Sequence, residues 1–188
     1  GVPVCFHDDN AKRVTGVDKL IRDMTLEEVR KLKVCDTDDG VMTFEEFLNF
    51  VNGRTPILKL AYSRFRNDRA LNAFIRKNAS WLNDYALFMA LKETHGFAPW
   101  FQWEEELKTR DPEALEAQRQ ALAEPIRFYC FVQYLFFRQW TALRKKAEEY
   151  GIELIGDVPI YVPYDSVEVW KDPQLFQLRR PRRPNAMQ

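Results

Sequence analysis

The stretch KKAEEYGIELIGDVPIYV, residues 145–162, carries the clearest indication of fold class in the sequence. Lys145 and Lys146 suit the last turns of a helix, where the helix dipole favours cations, and Gly151 is the residue type that commonly ends one. The apolar run that follows Gly151 predicts a strand buried on both faces. A helix that ends at glycine and leads into such a strand is half of an α/β unit, so we predict an α/β fold.

Upstream of this stretch the sequence is mostly helical. Helix formers dominate the segment that ends at Gly96, and Asp111-Pro112 opens another helical region because proline suits a first helical position. A single long helix is predicted over 113–150. Its apolar positions recur at helical spacing, at Phe128, Phe131, Val132, Leu135, Phe136, Trp140, Leu143 and Ala147. The α/β fold is therefore expected to be helix-dominated.

The first third of the chain predicts short strands between short helices. Val2–Phe6 is a strand candidate, and residues 56–62, PILKLAY, have strand character. Two capping boxes mark helix starts, with Thr25 paired to Glu28 and Thr43 paired to Glu46. The second of these helices is expected to end at Asn52-Gly53.

Composition excludes several classes of partner. Twenty-eight basic and twenty-eight acidic residues cancel, so the chain has no net field that would attract nucleic acid or an anionic membrane. No apolar run approaches the roughly 20 residues that span a bilayer. The three cysteines are widely spaced and lie in apolar surroundings, which predicts buried, reduced thiols.

Three segments resemble the 4-α-glucanotransferases, also called amylomaltases or disproportionating enzymes. They are NASWLNDYALFMALKE (78–93), IRFYCFVQYLFFRQW (126–140) and above all GDVPIYVPYDSVEVWKDPQLFQL (156–178). The resemblance implies a (β/α)8 barrel, of which this chain would hold partial pieces and not a complete barrel. It also implies a cytoplasmic protein without a cofactor that acts on α-1,4-glucan or maltooligosaccharide.

The resemblance to glucanotransferases also suggests substrate-binding residues. Asp157 matches a position that organises a sugar subsite, and Tyr161, Ser166 and Trp170 follow in the adjoining loop. Each has a structural alternative, which is a turn cap for Asp157 and core packing for Tyr161 and Trp170. A retaining mechanism needs a nucleophile and an acid/base about 5 Å apart. The Arg-x-Asp-His motif that carries the family's nucleophile does not occur in this sequence.

Residues 1–60 resemble a different family, the glycerophosphodiester phosphodiesterases. The pieces are VPVCFHDDNAKRVTG, IRDMTLEEVRKL and MTFEEFLNFVNGRTPILKL. This resemblance implies His7 as a general acid and Asp8 as one ligand of a divalent metal. The upstream histidine and the distal carboxylate of that family have no counterpart here, so a residual loop imidazole is the alternative for His7 and the metal site would be incomplete.

Two resemblances in one chain predict a fusion of partial families. The expected parts are a phosphodiesterase-like fragment over 1–60, a glucanotransferase-like fragment over 61–178 and a disordered basic tail over 179–188. Without its nucleophile and acid/base the chain is expected to be inactive alone. The alternatives are a weak, non-catalytic α-glucan binder, an artefactual fusion, or a vestigial metal-dependent phosphodiesterase. Exposed apolar surface is expected to cause self-association.

Overall fold

The structure, a computed structural model, describes residues 1–35, 37–159 and 161–176, apart from the side chain of Asn52. The chain divides into two units, Gly1–Ser63 and Arg64–Gln188, which we treat separately. The predicted tail over 179–188 lies outside the described residues. None of the helices within the described ranges is long and apolar enough to cross a membrane.

The described part of the first unit contains α1 (Lys12–Thr15), α2 (Leu26–Arg30) and a 3₁₀ turn at Ile21–Asp23, and α3 (Phe44–Arg64) begins in this unit and ends at the first residue of the second. The core of the first unit is small: the buried apolar residues are Ala11, Val29, Leu32 and Val41. Isolated bridges join Val4 to Thr43 and Asn10 to Leu20, but the described part of this unit has no extended strand. The strand predicted over 2–6 is therefore reduced to one bridge at Val4.

Both capping boxes are formed. The Glu28 amide donates to Thr25 Oγ1 at 3.2 Å, while the Thr25 amide donates to Glu28 Oε2 at 2.7 Å. In the second box the Glu46 amide donates to Thr43 Oγ1 at 3.1 Å, and the Thr43 amide donates to Glu46 Oε2 at 2.9 Å. These contacts satisfy amide groups that the first turn of a helix leaves without partners, so they fix where α2 and α3 begin.

The predicted end of α3 is wrong. The helix passes through Gly53 and Pro56 and ends at Arg64, so PILKLAY is helical and not a strand. Leu, Lys and Ala in this segment are good helix formers, and the described residues offer it no neighbouring strand. Many of its apolar side chains are exposed, among them Phe44, Phe50, Ile57 and Leu60.

The second unit is built from helices. They are α4 (Asp68–Lys77), α5 (Ala79–Thr94), α6 (Glu105–Lys108), α7 (Pro112–Ala121), α8 (Ala123–Glu149) and α9 (Val167–Lys171), with 3₁₀ turns at Trp100–Gln102 and Pro173–Leu175. Helix α5 packs against α4, α8 and α9, while α7 packs against α6 and α8. The core around α5 contains Leu87, Phe88, Leu91, Trp100, Trp103, Leu107, Leu115, Val169 and Trp170.

The helix predicted over 113–150 is two helices, which meet at Leu122. Pro125 explains the break, because it lacks an amide proton and its ring would clash with the carbonyl four residues earlier. The apolar stripe of α8 also divides. Phe128 and Phe131 are buried, while Phe136 and Leu143 are 55% and 57% exposed.

The helix-dominated part of the fold prediction is confirmed, but the strand predicted after Gly151 is not formed in the part of it that the structure describes. Gly151 does adopt the left-handed conformation, with φ of 67°, and α8 ends just before it. Residues 152–159 form neither helix nor strand, and Ile155 and Val158 are 95% and 80% exposed. A strand needs backbone partners, and no described residue supplies them.

Cysteine burial was predicted correctly only in part. Cys130 is buried in α8, whereas Cys5 and Cys35 are exposed. Burial raises the pKa of the Cys130 thiol to about 11, so this group is protonated at neutral pH.

The α2 cap gives a testable pH dependence. Hydrogen bonds from Lys19 and then from Thr25 lower the pKa of Glu28 from 4.5 to about 2. Because the folded pKa lies below the unfolded one, this carboxylate stabilises the fold above about pH 4.5 and loses that contribution as the pH falls toward 2. We expect Glu28→Gln to flatten this acid limb, measured by amide exchange of residues 28–32 between pH 2.5 and 6.

Glu27→Gln is the matched control, since it removes a charge from the same turn without touching Thr25. Its carboxylate pairs only with Lys31 among the described contacts, at 2.8 Å. Equal flattening in both variants would contradict the assignment of the effect to the cap.

Candidate functional site

His7 and Asp8 lie together in the first unit beside α1. The His7 side chain is 92% exposed, and its Nδ1 lies 2.7 Å from Asp8 Oδ1. Arg13 donates from Nε and Nη2 to the two oxygens of Asp8, at 2.6 and 3.0 Å. These hydrogen bonds, from Arg13 first and then His7, hold the pKa of Asp8 well below its usual range.

The role of Asp8 as a weak metal ligand in an incomplete site stays a prediction, and its contacts in this structure are those of an ion pair. Both oxygens of Asp8 already accept from cationic or imidazole nitrogens, whereas Ca²⁺ would need about six to eight oxygen ligands. Within the described ranges no three His, Cys, Asp or Glu residues cluster in a way that could hold a metal ion. The role of Asp8 in this structure is an ion pair that ties the 7–9 turn to α1.

Asp157 and Tyr161 lie on the exposed segment after α8. Asp157 Oδ1 accepts a hydrogen bond from the next residue, Val158, at 2.8 Å, which is the local turn contact that the alternative interpretation anticipates. Tyr161 is 88% exposed, so core packing does not describe it. Both side chains are open to solvent and therefore accessible to a ligand.

Ser166 is the N-cap of α9 and is half-buried, while Trp170 lies within α9 and is buried. The Ser166 hydroxyl accepts from the Val169 amide at 3.4 Å, as the N-cap of this helix. Trp170 is 1% exposed, and its indole nitrogen donates to the Leu107 carbonyl at 2.8 Å. For Trp170 the structure matches the core-packing alternative, and its ring is not accessible for direct contact with a sugar.

A buried ion pair, which the sequence analysis missed, holds the loop before α9. Lys92 is 8% exposed, and its Nζ donates to Asp165 Oδ2 at 2.6 Å. The same ammonium donates to the carbonyls of Phe97 and Ala98 at 2.9 and 3.0 Å. One cation thus joins the end of α5, the loop after it and the loop that leads into α9. A signal was available, because Lys92 lies four residues after Phe88 on the apolar face of α5.

The two loops joined by Lys92 carry an aromatic cluster. The Trp100 amide donates to Asp165 Oδ1 at 3.1 Å, and the Trp100 indole donates to the Tyr164 carbonyl at 2.8 Å. Trp100 is buried, but Phe101 and Tyr164 next to it are 39% and 45% exposed. Their rings stack, with centroids 5.0 Å apart and planes inclined by 29°.

Asp84 is a second charged junction that was not predicted. Arg110 Nη2 lies 2.6 Å from Asp84 Oδ1, and Lys171 Nζ lies 3.1 Å from Oδ2, so α5 is joined to the α6–α7 turn and to α9. Burial opposes the ionised form, but the hydrogen bonds from Arg110 and Lys171 prevail and lower the pKa of Asp84. The Arg110 guanidinium also lies 4.2 Å from the centre of the Trp170 ring.

The family comparison extends over most of the chain. The family model described as 4-alpha-glucanotransferase matches residues 15–182. This match includes residues 15–60, which were expected to belong to a phosphodiesterase fragment. The comparisons give no support to a phosphodiesterase part or to a fusion, so a single family accounts for both units over the matched range.

Individual relatives agree with the family model. A 4-alpha-glucanotransferase of Thermus thermophilus is 46% identical over 138 residues, which are 70% of this chain and 28% of the relative. A chloroplastic/amyloplastic 4-alpha-glucanotransferase of Oryza sativa subsp. japonica is 32% identical over 188 residues, covering 95% of this chain and 31% of the relative.

A solved structure is also similar. An amylomaltase from Streptococcus agalactiae in complex with acarbose matches with a TM-score of 0.67 and 39% identity, over 72% of this chain and 28% of that one. The chain thus spans less than a third of the length of these relatives.

The Lys92–Asp165 pair generates a prediction on stability. Asp165→Ala leaves a buried ammonium without its carboxylate, and we expect the second unit to lose about 3 kcal/mol of unfolding free energy. This is the lower end for a buried pair, because the Asp165 side chain is 31% exposed. All five tryptophans lie in this unit, so urea unfolding followed by tryptophan fluorescence measures the change.

Glu149→Gln is the control for that measurement. It removes the partner of Lys146 from a pair whose side chains are 60% and 50% exposed, and such a pair contributes about 1 kcal/mol or less. Equal losses in the two variants would show that the buried pair does not hold the unit together.

Proposed function

Because the chain belongs to the 4-alpha-glucanotransferase family, we propose that it binds an α-1,4-glucan or maltooligosaccharide through the segment that carries Asp157 and Tyr161. The observation that carries this proposal is the exposure of the segment: Tyr161 is 88% exposed, and Asp157 is exposed as well. A carboxylate accepts hydrogen bonds from sugar hydroxyls, and a tyrosine ring offers an apolar face to a sugar ring. The acarbose complex of the similar amylomaltase supports this class of ligand.

Ser166 and Trp170 enter this proposal as positioning residues. Ser166 caps α9 and Trp170 anchors α9 in the core, where it contacts Phe88 and Trp103. Together they fix the C-terminal end of the loop that begins at Asp157. We therefore propose that they act on glucan binding through the loop and not by touching the sugar.

We propose binding without turnover for these 188 residues. Transfer with retention requires a carboxylate nucleophile and a carboxylic acid/base on opposite sides of the glycosidic bond. Among the four candidate substrate-binding residues only Asp157 carries a carboxylate, so they cannot supply both groups. The proposal needs no cofactor, and it leaves out phosphodiester hydrolysis because Asp8 is engaged by Arg13. We also propose, from the family, that the chain forms part of a (β/α)8 barrel. A cytoplasmic location is a separate proposal, because two of the plant relatives are chloroplastic/amyloplastic.

Self-association is a second proposal, which rests on the exposed half of α8. Phe136, Trp140 and Leu143 are 55%, 39% and 57% exposed and follow one another at helical spacing. A contiguous apolar stripe of this kind favours association, and we propose a second copy of this chain as its partner.

The glucan proposal predicts a loss of affinity on substitution of Asp157. We expect Asp157→Ala to weaken maltoheptaose binding about tenfold in isothermal titration calorimetry, since a hydrogen bond to a charged group is removed. Glu153→Gln, in the same exposed segment, is the control and should leave the affinity unchanged. An unchanged affinity in Asp157→Ala would overturn the assignment.

Incubation with maltotriose should give no glucose and no longer oligomers, and production of both, abolished in Asp157→Ala, would contradict binding without turnover.

The self-association proposal predicts a mass that depends on concentration. We expect the double variant Phe136→Glu, Leu143→Glu to lower the average mass toward that of the 22.3 kDa monomer, measured by light scattering after gel filtration. Lys145→Glu changes the net charge equally but lies on the opposite side of α8, so its mass should match the unmodified chain. A monomer at all concentrations in the unmodified chain would refute the proposal.

A further inference from the structure

Phe101 and Tyr164 form a stacked pair of rings, and the two side chains are 39% and 45% exposed. They come from two loops 63 positions apart in sequence, since 164 − 101 = 63. Large aromatic side chains gain free energy by leaving water, so an exposed pair held in place is a candidate contact surface. We call these two side chains the aromatic pair.

The loops that carry the aromatic pair are tied together beneath it. Lys92 bonds to Asp165 at 2.6 Å, and Trp100 donates from its amide to Asp165 and from its indole to the Tyr164 carbonyl. Trp100 also lies against both rings, with centroids 6.0 Å from Phe101 and 5.5 Å from Tyr164. A ligand that stacks on the pair would therefore lose little free energy in ordering it.

Charge favours a neutral ligand at this surface. The two charged groups beneath the pair, Lys92 and Asp165, neutralise each other at 2.6 Å. The remaining described polar contacts of the cluster are backbone carbonyls and amides and indole N–H groups. Among the described polar contacts of this cluster the cation is Lys92, which is paired with Asp165, so these contacts offer no free positive charge to an anionic ligand such as a nucleotide. A neutral polyhydroxylated ring brings both apolar C–H faces and hydroxyls.

The aromatic pair also continues the segment that carries Asp157 and Tyr161. Three residue steps separate Tyr161 from Tyr164, so their Cα atoms lie within about 11 Å of each other. One oligosaccharide of several sugar rings can reach both positions. This continuity favours a further stretch of the same chain of sugars as the occupant.

We propose that Phe101 and Tyr164 form a stacking subsite that binds one pyranose ring of a maltooligosaccharide beyond the rings held near Asp157. The identity of the sugar rests on the proposed function, but the contact itself is separate. The ring faces supply apolar contact and Tyr164 supplies a hydroxyl, with the Lys92–Asp165 pair acting only to position the loops.

The variants that test this leave the supports of the loops in place. Phe101→Ala and Tyr164→Ala remove the rings, while Trp100 still bonds to the backbone carbonyl at 164 and to the Asp165 carboxylate. Tyr164→Phe keeps the ring and removes the hydroxyl. Phe47→Ala is the matched control, since it removes a ring of similar exposure, 42%, from α3 in the first unit.

The readout is the set of indole ¹⁵N–H signals of the five tryptophans during titration with maltoheptaose. We expect the Trp100 signal to shift in a saturable manner while the Trp140 signal on α8 does not move. Phe101→Ala and Tyr164→Ala should each raise the dissociation constant about three- to tenfold, the scale of one aromatic contact. Tyr164→Phe and Phe47→Ala should leave it within twofold, and an unmoved Trp170 signal in each apo variant shows that the core is intact.

The outcomes separate this subsite from the proposed function. A dissociation constant that Asp157→Ala raises but neither ring variant changes overturns the subsite and leaves the proposed function standing. A constant that the ring variants raise but Asp157→Ala does not supports the subsite and overturns the role of Asp157. Shifts of Trp100 that follow protein concentration without sugar assign the pair to contact between copies of the chain and overturn the subsite.

Discussion

The arrangement of the second unit depends on where one buried lysine finds its partners. The Lys92 ammonium is 8% exposed, and it bonds to the Asp165 carboxylate and to two carbonyls of the loop after α5. A buried ammonium without such partners would be strongly destabilising, so the loops must close around it. This contact fixes the loop at Asp165, which leads directly into α9 and its buried Trp170. It also holds Tyr164 next to the loop that carries Phe101, so that the two rings stack.

A second charged junction, at Asp84, holds the C-terminal end of α9. Arg110 and Lys171 both donate to this carboxylate, so the turn after α6 and the end of α9 meet on α5. The indole of Trp170 donates to the Leu107 carbonyl, and the Arg110 guanidinium of this junction lies over its ring. The polar groups are thus arranged around the aromatic core, which makes α5 the helix on which this unit is assembled.

The family assignment changes how the first unit is understood. His7 and Asp8 were interpreted as the remains of a metal site, but the two residues bond to each other and Asp8 bonds to Arg13. The family match begins at residue 15, so it covers residues 15–60 of the region that had suggested a second family. Short motifs such as a strand followed by His-Asp are compatible with many structures, so their order alone gave a misleading resemblance. The segments around 78–93, 126–140 and 156–178 were specific enough to identify the family correctly.

The features that could be predicted from the sequence are those that depend on neighbours within a few residues. The boxes at Thr25 and Thr43, the Asp111 cap and the end of α8 at Gly151 each involve contacts across three or four positions, so local chemistry specified them. The burial of Trp170 depends on side chains from distant parts of the sequence, which local patterns do not reveal. Residues 152–159 are exposed and form no strand, because a strand needs the backbone of another segment as its partner. Lys92 and Asp165 are 73 residues apart, and no local rule pairs them. Their contact is set by the desolvation of a lysine that the apolar face of α5 forces into the interior.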